Sequence, residues 1–494
     1  MNLFKKTYTL LFIFCLACVD LEEQTPGSLT TTSLYQTQAD FEAAVPGLYR
    51  PLFGNYEAFD FDWPIIMTAG GEDVDSQSGK FAVFDELRAN AGSGSISTVW
   101  KALYKSINNA NNIIGNIENI SESDERNDIE GQARFVRALD YFYLTRWFGE
   151  IQLITFNNQS TANKVKQSPV ADIYDLIVAD LKIAEELLPI SSELSGIPAG
   201  GAAKALLAKV YLTMGGWPLN QGAVAYDLAR KKAAELVTGD LSGQFNLESD
   251  FAYLWNGDNK FSNSEFVFIL HGISSNGFDN ASHHHIATRP GTDGGWGDWY
   301  SEERFLNAFP EGPRKDASFR LTFSDGSHWS DNNVPGGGAG QPFTAKYRNP
   351  GGGCGFDDVG CPENGDGFFP VLRYADVLLI FAEASNLADG SPSSSAYEAL
   401  NMVRRRAAGL DPNTPDISVD LTGLSSADFD NAVLDERNWE LAFEANRWFD
   451  LVRREMVEQV NSSIHDGVTI DDRLLPKPAL QVDLSEGLTQ NDGY

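Results

Sequence analysis

The chain has 494 residues, 69 of them Asp or Glu against 37 Lys or Arg, for a formal charge of −32. An acidic field of that size repels phosphate backbones, which excludes nucleic acid as a partner. It also favours a neutral sugar over a sulfated or uronate-rich one, unless a local basic pocket overrides the field.

The chain opens with Lys5 and Lys6 ahead of a short apolar run, Leu10 to Ala17, the pattern of a secretory signal peptide over residues 1–17. Ala17 followed by Cys18 fits a lipobox, in which a small residue precedes the cysteine that takes the lipid, although Cys15 and Leu16 depart from its usual upstream residues. Residues 18–30 then read as a lipidated tether, palmitate being one expected acyl group, and 31–494 as a single composite domain. No later apolar run reaches the 18 or more residues of a spanning helix, so the lipid is the expected membrane attachment.

Apolar residues recur at threes and fours in WKALYKSINNANNIIGNIENI, and again in DIEGQARFVRALDYFYLTRWFGEIQLIT, where Gly149 can end the helix. Further helices are expected over SPVADIYDLIVADLKIAEELLP, GGAAKALLAKVYLTMGG and AVAYDLARKKAAELVTG. Ala202, Ala203, Ala205 and Ala208 in one, and Ala229, Ala233 and Ala234 in the next, permit the close helix approach of degenerate tetratricopeptide-like hairpins.

From about 246 to 369 the periodicity fades and Gly, Asn, Asp and Pro rise, with a short strand expected at EFVFILHG. Four of the ten tryptophans fall here, which argues against disorder. The helical pattern returns over FPVLRYADVLLIFAEASNLADG, SSSAYEALNMVRRRAAGL and ADFDNAVLDERNWELAFEANRWFDLVRRE. The expected fold is therefore mostly α, a helical scaffold over about 31–245 and 370–456 carrying a long loop-rich insertion over 246–369 that forms the ligand-binding face.

Glycan recognition needs flat aromatic rings for the C–H faces of sugars, flanked by polar side chains for the hydroxyls. GGWGDWYSEERF supplies Trp296, Trp299 and Tyr300; SDGSHWSDNNVPGGG supplies Trp329 with Asp331, Asn332 and Asn333; FDWPIIMTAGGEDVDSQSG supplies Trp63. These five aromatics form the candidate platform, whereas Trp100, Trp147, Trp439 and Trp448 lie on helical stripes and read as core. The remaining pair of cysteines, Cys354 and Cys361, sits in a glycine-rich loop of an exported chain and suits a disulfide. His283, His284 and His285 are consecutive on a loop and cannot comfortably share one metal, so a solvated or ligand-flanking loop is expected there. Asp357, Asp358, Glu363, Asn364 and Asp366 offer calcium-type oxygen ligands without EF-hand spacing. No resident cofactor is expected, with calcium the one cation that this loop chemistry suits.

ERNWELAFEANRWFDLVRR, Glu436 to Arg454, resembles the signature of the SusD/RagB family of surface nutrient-binding lipoproteins, with Ala445 where that signature usually has glycine. Supporting matches are Arg373 to Ala384, Ala399 to Leu410, Ala133 to Thr155, Thr25 to Leu52, WKALYKSINNANNII, and the terminal LLPKP and QNDGY. The acidic Asp20-Leu21-Glu22-Glu23 after Cys18 resembles the signal that sends such lipoproteins to the outer face of the outer membrane. The resemblance implies a SusD-like fold, a non-enzymatic role in polysaccharide utilisation and docking on a SusC-like TonB-dependent transporter that receives the captured glycan. A neutral β-glucan such as laminarin is the expected cargo. Peptide or glycopeptide capture of the RagB type is the alternative, and a surface glycoside hydrolase a third class. Glu436, Arg437, Glu440, Glu444 and Arg447 read as scaffold, spaced to pair with one another or with Arg373 and Arg404 to Arg406.

Overall fold

The computed structural model describes residues 34–52, 70–76, 81–192, 194–272, 284–331, 340–351, 358–359, 366–465 and 467–494. The signal peptide, Cys18, Trp63, His283, Asn332, Asn333, Cys354, Asp357, Cys361, Glu363 and Asn364 lie outside the described residues.

Five helices follow the sequence periodicity: α1 Gly94–Asn116, α2 Asp124–Phe148, α3 Val170–Leu187, α4 Gly200–Gly215 and α5 Ala223–Val237. In α1 the buried face is Val99, Trp100, Leu103, Ile107, Ala110 and Ile113, one apolar stripe at threes and fours. Ser123 caps α2 by accepting from the Arg126 amide at 3.1 Å. Gly149 ends it at φ +66, a left-handed conformation that glycine adopts without steric cost. Each helix packs on the next in sequence, except that α4 also returns to α2. Where α4 meets α5, Ala202, Ala203, Ala205, Ala208, Ala225, Ala229 and Ala233 are fully buried, so backbones approach where larger side chains would hold them apart.

The insertion is built from short pieces, among them β1 Phe266–His271 and the helices α6 Glu303–Ala308 and α7 Pro313–Ser318. β1 is the strand expected at EFVFILHG. It pairs antiparallel with β2, Phe368–Arg373, a segment that the apolar pattern had suggested as the start of the next helix. Short, fully buried apolar runs do not distinguish strand from helix, and Pro370 holds the residue before it extended. The helix α8 begins only at Tyr374 and runs to Asp389. It packs on α5, closing the two halves of the scaffold together, and on α9 Ser394–Ala407 and α10 Ser426–Glu440.

The signature segment is likewise not one helix. It breaks after α10, turns through Leu441 to Asn446, and resumes as α11, Arg447–Arg453. Phe443 and Ala445 both take left-handed φ in that turn, +66 and +56. Trp100, Trp147 and Trp448 are buried in the core, and Trp439 packs against it partly exposed. No described helix is long and apolar enough to cross a membrane.

Candidate functional site

The charged signature residues sit inside the scaffold. Arg373, the last residue of β2, donates to Glu440, Glu444 and Glu265 at 2.5 to 2.7 Å. Arg406 of α9 reaches Glu265 at 2.8 Å and Glu440 at 2.5 Å, and Arg314 of α7 joins Glu436 to Glu440. Lys346 donates to Glu444 at 2.7 Å. All of these side chains are essentially excluded from water. Burial alone would raise the Glu440 carboxyl, but Arg406, Arg373 and Arg314 outweigh it and hold it well below the usual range. The same burial presses Lys346 down to about 8 against the pull of Glu444. Arg437 bridges Asp376 and Asp450 at 2.8 Å, while Arg447, also buried, pairs with Glu72. The expected partners Arg373, Arg404 and Arg406 are present; among the described residues Glu436, Arg437, Glu440, Glu444 and Arg447 make no ion pair with one another, and within the signature segment it is Asp450 that receives Arg437 across the turn at 441–446 and Arg453 from its own helix.

The aromatic residues of the insertion divide by burial. Trp296 is 41% exposed, whereas Trp299 and Tyr300 are 2% and 3% exposed. Trp299 packs with Phe81. Tyr300 packs with Phe343, centroids 6.0 Å apart, in a cluster that includes Phe323. Neither ring presents a face to solvent, so these two are corrected from platform residues to anchors of the loop that carries Trp296.

That loop is rigidly built. The Trp296 amide donates to Ile286 O at 3.0 Å, Gly297 to Arg289 O at 2.8 Å and Gly295 to Pro290 O at 3.0 Å. Gly294 and Gly297 take left-handed φ, +76 and +69, and a Cβ on Gly295 would lie 2.2 Å from the Arg289 carbonyl. The glycines therefore let the chain fold tightly enough to leave Trp296 at the surface. Beyond it, residues 321–329 form a small hairpin in which Trp329 donates its amide to Leu321 O at 2.9 Å and Phe323 donates to Ser327 O at the same distance. Trp329 is half-buried against the Tyr300, Phe323 and Phe343 cluster, with the His328 ring 6.0 Å away. It lines a groove of about 470 Å³ with Asn307, Glu311, Lys315, Arg320 and His328. Such a groove sets an indole among hydrogen-bonding side chains, the residue types that a sugar requires.

Asp293 latches the two segments together. Its carboxylate accepts from the Ser324 amide at 2.8 Å and from Arg348 at 2.6 Å, and Ser324 Oγ donates to Thr292 O at 3.0 Å. Burial would raise the Asp293 carboxyl, but Ser324 and Arg348 hold it below its ordinary value; desolvation in turn lowers Arg348 to about 10. Arg289 donates to the Arg348 carbonyl and to the Asp358 carbonyl, fixing the loop from behind. The spacing of GTDGGW carries no sign of this latch, because its partners come from 31 and 55 residues away. Of the solvated or ligand-flanking loop expected at the three histidines, the solvated reading does not hold for His285, which is buried because the short helix His284–Ala287 turns its ring inward. Asp366 accepts from Lys260 through its carbonyl. Among the described residues no group of His, Cys, Asp or Glu side chains is arranged to hold a metal ion.

Two family models match, one described as the SusD family over residues 343–494 and one as starch-binding associating with outer membrane over 67–212. Over these two stretches the chain is similar to the SusD family. The SusD-like protein P2 of Formosa agariphila is 28% identical over the full length of both chains. The crystal structure of a SusD homolog from Bacteroides thetaiotaomicron superposes with a TM-score of 0.80 at 23% identity, covering 94% of this chain and 98% of that one. A laminarin-binding SusD-like protein superposes with a TM-score of 0.73 at 23% identity, covering 93% and 100%. At these identities the structural likeness establishes the fold, and the mostly helical architecture with a loop-rich insertion agrees with it.

Proposed function

We propose that this chain is a non-catalytic glycan-binding lipoprotein of the cell surface, which captures a neutral oligosaccharide or polysaccharide and passes it to a SusC-like TonB-dependent transporter. The observation that carries the reading is Trp296, a large aromatic ring held exposed by a glycine-cinched loop that is latched to the Trp329 groove. An exposed indole on a rigid loop binds with little ordering cost. A neutral β-glucan such as laminarin is the specific cargo, supported by the acidic balance of the chain and by the laminarin-binding protein of the same fold. A lipid on Cys18 is the proposed outer-membrane anchor, a Cys354–Cys361 disulfide the proposed brace of the adjoining loop, and Trp63 a proposed third aromatic contact. No cofactor is invoked. The absence of catalysis is supported by the signature carboxylates Glu436, Glu440 and Glu444, each committed to a buried cation.

Affinity electrophoresis of residues 19–494 in gels containing laminarin tests the reading. Retarded migration, lost in Trp296→Ala, is the expected result. Unretarded migration across neutral glucans, or reducing sugar released by the pure protein, overturns it.

A further inference from the structure

A second cavity, of about 480 Å³, shares no lining residue with the Trp329 groove. It lies between the end of α2, the start of α3, the Trp217–Pro218 segment after α4, α11 and the last stretch of the chain, Arg473 to Asp492. Tyr174, Trp217, Phe449 and Leu474 give it apolar walls.

Two cations line it without a carboxylate partner among the described residues. Arg146 is 8% exposed, and its guanidinium is sandwiched between the Phe142 and Phe449 rings, 3.8 and 3.6 Å from their centroids. Its Nε donates to the Phe142 carbonyl at 3.1 Å and the side chain also bonds to Tyr143. Asp450, the acid that bears on it, is already engaged by Arg437 and Arg453. Lys477 is 1% exposed, and its Nζ donates only to neutral oxygens, Gln167 Oε1 at 3.2 Å and Thr489 O at 2.7 Å. Desolvation depresses both, Arg146 to about 10 and Lys477 to about 8, so both still favour the charged form at neutral pH. Arg473 lies over the Trp217 ring at 4.3 Å and pairs with Glu455 at 2.8 Å. The acids lining the cavity are both exposed: Glu150, which accepts from Gln167 and attracts Lys477 without forming an ion pair with it, and Asp492.

Buried cations are ordinarily neutralised by a hydrogen-bonded anion, because an unpaired buried charge costs several kcal/mol. Two in one cavity, in a chain with a large surplus of acids, mark a position that an anion from outside completes. We propose that this cavity binds a carboxylate-bearing ligand, the carboxylate received by Arg146 and Lys477 and the body of the ligand resting on Trp217 and Phe449. The walls suit an organic acid rather than a bare inorganic ion, and the volume suits one sugar acid or the end of a peptide.

Isothermal titration of residues 19–494 with D-glucuronate, D-glucose, dialanine and dialanine amide separates the two sources of the carboxylate. At least one acid is expected to bind where its neutral counterpart does not: glucuronate over glucose for a sugar acid, dialanine over its amide for a peptide terminus. Lys477→Gln is expected to weaken that binding about tenfold or more, the loss of one charge-assisted hydrogen bond. Should that variant fail to fold, Arg473→Gln at the rim is expected to weaken it in the same direction while leaving laminarin retardation unchanged. Equal binding of an acid and its neutral counterpart, no binding of either acid, or unchanged affinity in the folded variants overturns the proposal.

Discussion

Arg373 and Glu444 form a two-toothed ion pair inside the molecule, Nε to Oε2 at 2.7 Å and Nη2 to Oε1 at 2.9 Å. The pair ties the end of β2 to the turn between α10 and α11, so one contact fixes the sheet, the signature segment and, through Glu440, α9 and α7. Removing one partner leaves the other charged and dry. Arg373→Met is expected to destabilise the protein by about 3–5 kcal/mol in urea unfolding, and Arg373→Lys to recover little of it, since an ammonium cannot make the paired contact.

Ala445 occupies a left-handed conformation at the position where the family signature carries glycine. A Cβ there costs on the order of 1 kcal/mol, partly offset by the greater freedom that glycine gives the unfolded chain. Ala445→Gly is therefore expected to raise the melting temperature slightly, by an amount equivalent to at most about 1 kcal/mol in differential scanning calorimetry. A fall would mean that the buried methyl matters more than the backbone strain.

The two tryptophans of GGWGDW should behave oppositely. Trp296→Ala removes an exposed ring and is expected to abolish laminarin retardation with the melting temperature unchanged. Trp299→Ala opens a cavity beside Phe81 and is expected to cost about 3–5 kcal/mol of stability. Paired electrophoresis and thermal melts on both variants decide this.

Asp85 gives the alkaline side of the stability profile its slope. Burial, then repulsion from Asp75, Glu302 and Glu86, raises its carboxyl to about 8, and burial raises Glu302 to about 7. His465, 3.6 Å away, is lowered by burial, so the two face each other as neutral groups. A carboxyl raised on folding keeps its proton while the unfolded chain releases it, so stability falls as pH climbs from about 4 toward 8. Asp85→Asn is expected to flatten that fall in melts at pH 5, 6.5 and 8. Glu440 and Asp450 have the opposite sign: both are lowered by their arginines, and the stability they contribute is lost below about pH 4.

The helical scaffold was legible because α1, α3 and α5 bury stripes at a fixed period, a property of the local sequence alone, whereas α4 and most of α2 are buried on nearly every side. The ion lattice was partly legible, since the spacing of Glu436, Glu440 and Glu444 announced paired charge without saying that it is buried or that the helix breaks at Leu441. The choice between Trp296 and Trp299 was not legible. Their neighbours in sequence are nearly the same, and what buries Trp299 is Phe81, more than 200 residues earlier. The second cavity was still less so: Arg146 and Lys477 stand in two of the stretches that carry the family resemblance, Ala133 to Thr155 and LLPKP, but these lie far apart in the chain and nothing in either says that they meet.

The buried lattice also governs what a second molecule encounters. Among the described residues fourteen Arg and Lys side chains are buried against twelve Asp and Glu, and burial raises the carboxyls of Asp73, Asp85 and Asp140, so the interior carries none of the surplus of acid. The acid surplus of the chain therefore lies on its exterior, where mobile ions reach it. Two copies repel at low ionic strength and approach once the Debye length shrinks below their separation, about 8 Å at 0.15 M and about 3 Å at 1 M. Salt thus sets how densely copies can crowd side by side, while the dry pairs that hold each one together stay beyond its screening.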